Sequence, residues 1–379
     1  MMETKEQDRK WHLIRNDNGE WISDENVVFL TSAEARSLQI KARLAGKKLD
    51  IQHGYDGTLW CYKHEIKTIK FNLEMKTDEK RTDDYCKLKV ELPMIDIPKG
   101  YTYHLDKRDN LTLKVLEKGL KANMQDNESA FESWAIVLKF YLKDIKTVTI
   151  DWDDLSIVSE NNLHFNRFVY RLTRFVQSYE WAFSKKPIPQ LPSILVCNYP
   201  NGGASIADEH EKGSEGWIEC KYVEKHKIEY DVMDHQLPVG IFYDKVSRKT
   251  HFTTGQKSAI DIWAIKDGVF SVFELKKPNN IVLGIISELM FYTNIIHDIM
   301  SHRIQFQEDA KMQAAINNNY RGFADLYKAY LSGSIQKINA VLLADSLHPL
   351  IKPELLDFIN DSARFRYSRI SFSMKEVSL

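Results

Sequence analysis

The dipeptide Asp267-Gly268 separates two apolar runs, Ser258 to Lys266 and Val269 to Lys276. Asp-Gly in that setting favours a two-residue type I′ turn, whose two central positions both take positive φ. A turn that tight sets the register of the hairpin it closes. Lys266 pairs with Val269, Ile265 with Phe270, Trp263 with Val272, and Asp261 with Glu274. Side chains alternate along a strand, so Asp261, Trp263, Ile265, Phe270, Val272, Glu274 and Lys276 share one face. Ile262, Ala264, Phe273 and Leu275 share the other. Both faces are apolar, which predicts interior strands covered on both sides.

The two acids do not belong in such a setting for stability's sake. Carboxylates placed side by side repel, and burial deepens the cost. A divalent cation relieves it, because Mg²⁺ takes carboxylate oxygens and retains several waters. The Lys276 side chain can then orient a water on that cation or, as the neutral amine, deprotonate it, which is the equipment for hydrolysing a phosphodiester. The plainer account is a strand end whose charges reach solvent just before Pro278.

Ile260-Asp261 followed by Glu274-Leu275-Lys276 resembles the core of the PD-(D/E)XK nuclease superfamily, with its restriction-endonuclease-like fold. Ile260 stands where the name motif has proline. The resemblance implies an Asp on the second core strand and ExK on the third. It also implies an acid on the helix before the first strand, and often a Gln with a nearby Tyr on the helix after the third. Ser214-Glu215-Gly216-Trp217-Ile218-Glu219 opens the upstream helix, where Glu219 is the chosen acid and Glu215 and Glu224 are alternatives. Glu288-Leu289-Met290-Phe291-Tyr292 lies on the downstream helix, with Glu288 in place of the Gln, either paired with Lys276 or approaching the metal. The resemblance implies a Mg²⁺- or Mn²⁺-dependent endonuclease in which Asp261 and Glu274 hold the metal, with the Leu275 carbonyl as a further ligand. Lys276 positions the attacking water and Glu219 assists. DNA is favoured over RNA through the superfamily alone, as is a role in bacterial defence or repair. The rival account is a catalytically inactive nucleic-acid-binding or assembly protein that keeps the fold, and a homo-oligomer stays open. The resemblance covers about 213–379.

With 379 residues, two domains are expected, and 43% hydrophobic residues suffice for real cores. Lys plus Arg is 52 against 53 Asp plus Glu, so any nucleic-acid surface is a local patch. Cys61, Cys86, Cys197 and Cys220 show no CxxC spacing, which suits a reducing cytoplasm and no structural zinc. The N-terminus is polar, and the most apolar stretch, Ile281 to Met300, contains Glu288 and His297. A cytoplasmic protein with no membrane partner is the expectation.

Pro187 to Pro192 and the loop Tyr199 to Gly203 place a boundary between Pro187 and Gly213. This gives an α+β region of unassigned role over 1–200, with a further break near 126, and an α/β domain over 201–379 with a mixed sheet flanked by helices. In the first region a helix is predicted over 33–44 and strands over 21–30, 58–62, 66–75, 85–92 and 101–105. Residues 112–121 read as helix or strand, 128–142 as helix and 147–152 as strand. Asp151, Asp153 and Asp154 end that strand as a turn or a metal cluster. A helix over 164–184 places Arg167, Arg171 and Arg174 on one side, either a phosphate-contacting stripe or a solvated, salt-bridged face. In the second domain the expected order is helix 214–230, strands 238–246, 250–265 and 269–276, and helix 281–302. Helix 322–331, strand 338–344, helix 353–362 and strand 367–374 complete it.

Overall fold

Asp267 and Gly268 take φ of 49° and 73°, the pair of positive values a type I′ turn requires. The strands they join pair as expected from Lys266–Val269 to Ile262–Phe273. The computed structural model describes residues 10–15, 21–28, 51–53, 59–61, 101–106 and 109–377, apart from 125, 143–144, 155–162, 255–257, 278–281, 365–366 and 368. The helix expected over 33–44 and the strands over 66–75 and 85–92 lie outside the described residues.

The chain divides into two compact units, 1–97 and 98–379. The first contains the antiparallel pairs β1 (Lys10–Arg15) with β2 (Trp21–Val28), and β3 (Ile51–His53) with β4 (Leu59–Cys61). The second begins with β5 (Tyr101–Asp106), β6 (Asn110–Val115), α1 (Glu117–Lys121), α2 (Phe131–Tyr141), β7 (Thr147–Trp152), α3 (Leu163–Ser178), β8 (Ala182–Ser184) and β9 (Leu195–Cys197). It continues through α4 (Glu215–His226), β10 (Val232–Pro238), β11 (Ile241–Phe242), β12 (Ala259–Lys266), β13 (Val269–Lys276), α5 (Ile285–Met300) and β14 (Ile304–Phe306). It ends with α6 (Ala310–Asn317), α7 (Phe323–Ser332), β15 (Lys337–Ala344), α8 (Pro353–Asp361) and β16 (Ile370–Lys375).

The chain thus divides at 97/98 and not near residue 200. Residues 98–200 are built into the same unit as those after 200. β9 pairs in parallel with β14, and Ser133 on α2 exchanges hydrogen bonds with Ser287 on α5 at 3.0–3.1 Å. The segment over 112–121 is both things considered for it, β6 and then α1.

The central sheet has the order β10-β12-β13-β15-β16. Its first two pairings are antiparallel and its last two parallel. This is a mixed α/β arrangement with helices against both faces. On one face Ile262, Ala264, Phe273, Leu275, Val341 and Leu343 form a core covered by Tyr222, Ile218 and Val223 of α4. α5 lies on the other face, where Glu288 meets Lys276. Asn360 of α8 exchanges hydrogen bonds with the backbone of Phe372, occupying that part of the β16 edge. Among the described residues no helix is long and apolar enough to cross a membrane.

The first core strand is β10, earlier than the expected 238–246. Its alternation buries Met233, His235 and Leu237, a pattern that the polar Asp234 and Gln236 disguise in the sequence. Ile241 and Phe242 join β9 in a separate three-stranded sheet. The second strand is likewise shorter than expected, and the helix begun near 164 ends at Ser178, where the chain turns into β8.

A Cβ at Gly268 would lie 3.0 Å from the Ser334 carbonyl oxygen, on a backbone already left-handed. Gly268→Ala is expected to cost about 1–2 kcal/mol of folding free energy, read as a lower midpoint in urea denaturation. An unchanged midpoint would contradict the strain assigned to this turn.

Candidate active site

Regular pairing of β12 with β13 stops at Ile262–Phe273, one step short of Asp261 and Glu274. Asp261 takes over with its side chain, and its Oδ2 accepts the Leu275 amide at 3.0 Å. The carboxylate is thereby fixed against β13 beside Glu274. On the same face the Lys276 ammonium donates to Glu274 Oε1 at 2.5 Å and lies 3.0 Å from Glu288 Oε2. Glu274, Lys276 and Glu288 are all buried, whereas Asp261 is half-buried. Leu275 sends its side chain into the core under α4, leaving its backbone at the level of the two acids.

Glu219 approaches from α4. Ser214 caps that helix by accepting the Trp217 amide at 3.2 Å, which sets where its first turns point. Glu219 is buried and accepts Gln236 Nε2 at 2.8 Å. Gln236 lies between the pairs His235–Ile262 and Leu237–Ile260, across from Asp261, and holds a left-handed φ of 53°. A non-glycine residue in that region is strained, and such strain gathers at functional sites. Nothing in the sequence marks Gln236, which reads as one more polar residue in an alternating strand.

The electrostatics are those of acids crowded out of water. Burial, then the Glu219 charge, pushes Asp261 up to about 8, against the pull of Lys276 and the Leu275 amide. Burial does the same to Glu274, with Asp261 and Glu288 adding to it, and holds it well above the ordinary carboxylate range. Glu219 is raised by burial, with Gln236 opposing. Lys276 is driven the other way: burial disfavours its charge, yet Glu274, Glu288 and Asp261 hold its proton firmly. Tyr292, one turn beyond Glu288, is raised by burial and then by Glu288, Glu274 and Asp261, so it borders the same cluster.

Glu274 Oε2 is buried and accepts no hydrogen bond from a donor. Glu288 lies within hydrogen-bonding reach, so a proton shared between the two acids is the metal-free way to satisfy that oxygen. A hard cation is the other way. The donors here are carboxylate oxygens, which suit Mg²⁺ or Mn²⁺ with waters completing the shell. Among the described residues no group of three or more His, Cys, Asp or Glu side chains is arranged to hold a metal by itself. A cation taken here would have to keep much of its water, and Asp261 and Glu274 are the carboxylates that could hold it.

The arginine stripe has a different fate. Arg167, Arg171 and Arg174 are all buried, forming neither a solvated face nor an open phosphate-binding one. Arg171 makes a two-pronged pair with Glu132, its Nε at 2.8 Å from Oε1. Arg174 binds Asp298 at 2.7 Å, and Tyr170 donates to the same carboxylate. Asp151, Asp153 and Asp154 each meet a lysine, Lys185, Lys114 and Lys186 respectively, which accounts for that cluster as a strand end. Comparison with family models, curated proteins and solved structures finds no match for this chain.

A raised carboxyl fixes the sign of a pH effect. The folded state keeps a proton on Asp261 that an ordinary aspartate at 3.8 has released, so stability falls as pH rises from that value through about 8. In EDTA, the protein is expected to be less stable at pH 8 than at pH 5, and Asp261→Asn should narrow the gap. An equal gap in both proteins, measured by urea denaturation, would show that Asp261 does not carry this charge.

Proposed function

We propose that this chain is a metal-dependent nuclease of the PD-(D/E)XK kind, hydrolysing phosphodiester bonds with DNA as the first substrate to test. The observation that carries the reading is the buried Glu274–Lys276 pair on one strand, with Asp261 held beside it by the Leu275 amide. The order of elements supports it. α4, the antiparallel strands β10, β12 and β13, then α5 and the parallel strand β15 follow the sequence expected of a restriction-endonuclease-like core.

On this reading Asp261 and Glu274 hold Mg²⁺ or Mn²⁺, with the Leu275 carbonyl as an additional oxygen. The bound cation supplies an activated water and neutralises charge that builds on the phosphate. Lys276 keeps its proton, because Glu274 and Glu288 stabilise the ammonium. Its part is therefore to orient a water and to meet developing negative charge, and not to remove a proton. Glu288 steadies the Lys276 ammonium at 3.0 Å. Glu219, anchored by Gln236, holds a carboxyl next to Asp261 that can orient a second water.

The test is cleavage of plasmid DNA, single-stranded DNA and RNA with Mg²⁺, beside the same reactions in EDTA. Lys276→Ala should lower kcat by about 100-fold or more, the loss seen when a single charge-stabilising donor is removed. Asp261→Ala should abolish calorimetric Mn²⁺ binding. Cleavage that survives EDTA, or a Lys276→Ala protein as active as the parent, would overturn the assignment.

A further inference from the structure

α5 carries Glu288 near its start and Asp298 near its end, about 15 Å apart along the helix. The acid cluster is at the first of these, and a separate concavity lies at the second. The helix closes there in a Schellman arrangement. The His302 amide donates to the Ile299 carbonyl at 2.9 Å, and the Arg303 amide donates to the Asp298 carbonyl at 2.8 Å. Glycine usually fills the left-handed position of that arrangement, yet His302 holds it with φ of 55°. Directly after Arg303, β14 begins and pairs Ile304 with Leu195 of β9 in parallel, so Arg303 and Ile194 are neighbours at the start of adjacent strands.

These segments line a cavity of about 360 Å³, a size that suits a small ligand. Leu191 and Pro192, the end of the proline-rich stretch, line it together with Ile194. Ile194 is 58% exposed and the Arg303 side chain 29%, so the cavity is open to solvent. Arg174 is the buried basic member of the lining, and its charge is already met: two of its nitrogens lie 2.7 Å from Asp298 Oδ2. Tyr170 donates to the same oxygen at 2.7 Å. Arg303 reaches the other oxygen of Asp298 through Nη1 at 3.1 Å. Two guanidiniums thus face one carboxylate, and no lining residue of the cavity is acidic. Arg303 is held to Asp298 by main chain and side chain together, which fixes its fork before any ligand arrives.

We infer that this cavity binds a phosphate monoester with a flat or apolar body, its phosphate on Arg303 and its body against Pro192 and Ile194. The site is independent of whatever the acid cluster does. Excess positive charge at a solvent-open cavity selects an anion, and a half-exposed guanidinium offers it paired N–H donors. The choice of phosphate follows from the other donors. Ser193, His302 and Gln305 also line the cavity and bring a hydroxyl, an imidazole and an amide. Together with Arg303 they exceed what the two oxygens of a carboxylate need, whereas a phosphate ester presents three strong acceptor oxygens.

The experiment is calorimetric titration of the full chain with phenyl phosphate, inorganic phosphate and benzoate, in EDTA so that no divalent cation occupies the acid cluster. Phenyl phosphate should bind, and inorganic phosphate should bind several-fold more weakly because it lacks the apolar contact. Arg303→Gln should weaken both by about tenfold or more, the loss expected of a charge-assisted hydrogen bond. Ile194→Ser should weaken phenyl phosphate and leave inorganic phosphate as in the parent. If Arg303→Gln fails to fold, as judged by its thermal transition, Ile194→Glu decides. That exposed position tolerates the change, and an acid at the opening should weaken both phosphates about tenfold. Parent protein that binds neither phosphate overturns the inference. So does phenyl phosphate affinity unchanged in Arg303→Gln or, where that protein does not fold, in Ile194→Glu. Benzoate held as tightly as phenyl phosphate overturns the choice of phosphate.

Discussion

The Lys276 ammonium, buried between Glu274 and Glu288, is the contact around which the central sheet and α5 are arranged. It joins a strand to the helix above it by charge in a place where the neighbouring contacts are apolar. Desolvating an ion costs several kcal/mol, and only close, well-aligned partners offset that. The geometry here is tight for Lys276 and incomplete for Glu274, whose second oxygen lacks a donor. The rest of the sheet keeps the cluster from flying apart. Trp263, Phe270 and Val272 are fully buried on the same face and Phe273 on the opposite one, so the backbone that carries the acids cannot relax outward.

That backbone owes its accuracy to a two-residue turn. With φ of 49° and 73° at Asp267 and Gly268, one register is available, and a slip of one residue would move Glu274 and Lys276 to the face under α4. The last ladder position is then given up for function. Asp261 is across from Glu274, but its carboxylate spends itself on the Leu275 amide, and the opposing Gln236 adopts a left-handed backbone. Strand regularity ends where the acids gather, as it does at many sites that trade local order for a fixed side-chain position.

How much of this was legible in the residues follows from the range of the interactions. The turn, the register from Lys266–Val269 to Ile262–Phe273 and the shared face of Glu274 and Lys276 are local, and Asp-Gly between apolar runs is enough to read them. Helices with strong ends were legible too: Ser214 caps α4, and Pro353 opens α8. β10 was misplaced because His235 is a buried polar residue inside it, hydrogen-bonded to Ser205 and close to Cys220. The arginines of α3 could be placed on one side but not assigned partners. Glu132 lies 39 residues before Arg171, and Asp298 lies 124 residues after Arg174. Periodicity carries no information about a contact made through the fold. The boundary near residue 200 failed to appear for the same reason, since the Pro- and Gly-rich stretch there links β8 and β9 to the rest of one unit.

The balance of charge bears on how the proposed chemistry is ordered. Asp261, Glu274 and Glu288 crowd around one ammonium, with Glu219 beside Asp261, and a phosphodiester brings a further negative charge. Such a site repels its own substrate until cations enter it. Protons can fill that need, and burial together with the Glu219 charge raises Asp261 to about 8, but a proton on a ligand oxygen blocks a metal. On the nuclease reading, Asp261 and Glu274 would have to give up those protons before they could hold a divalent cation, and the cation would supply the positive charge that a phosphate needs there.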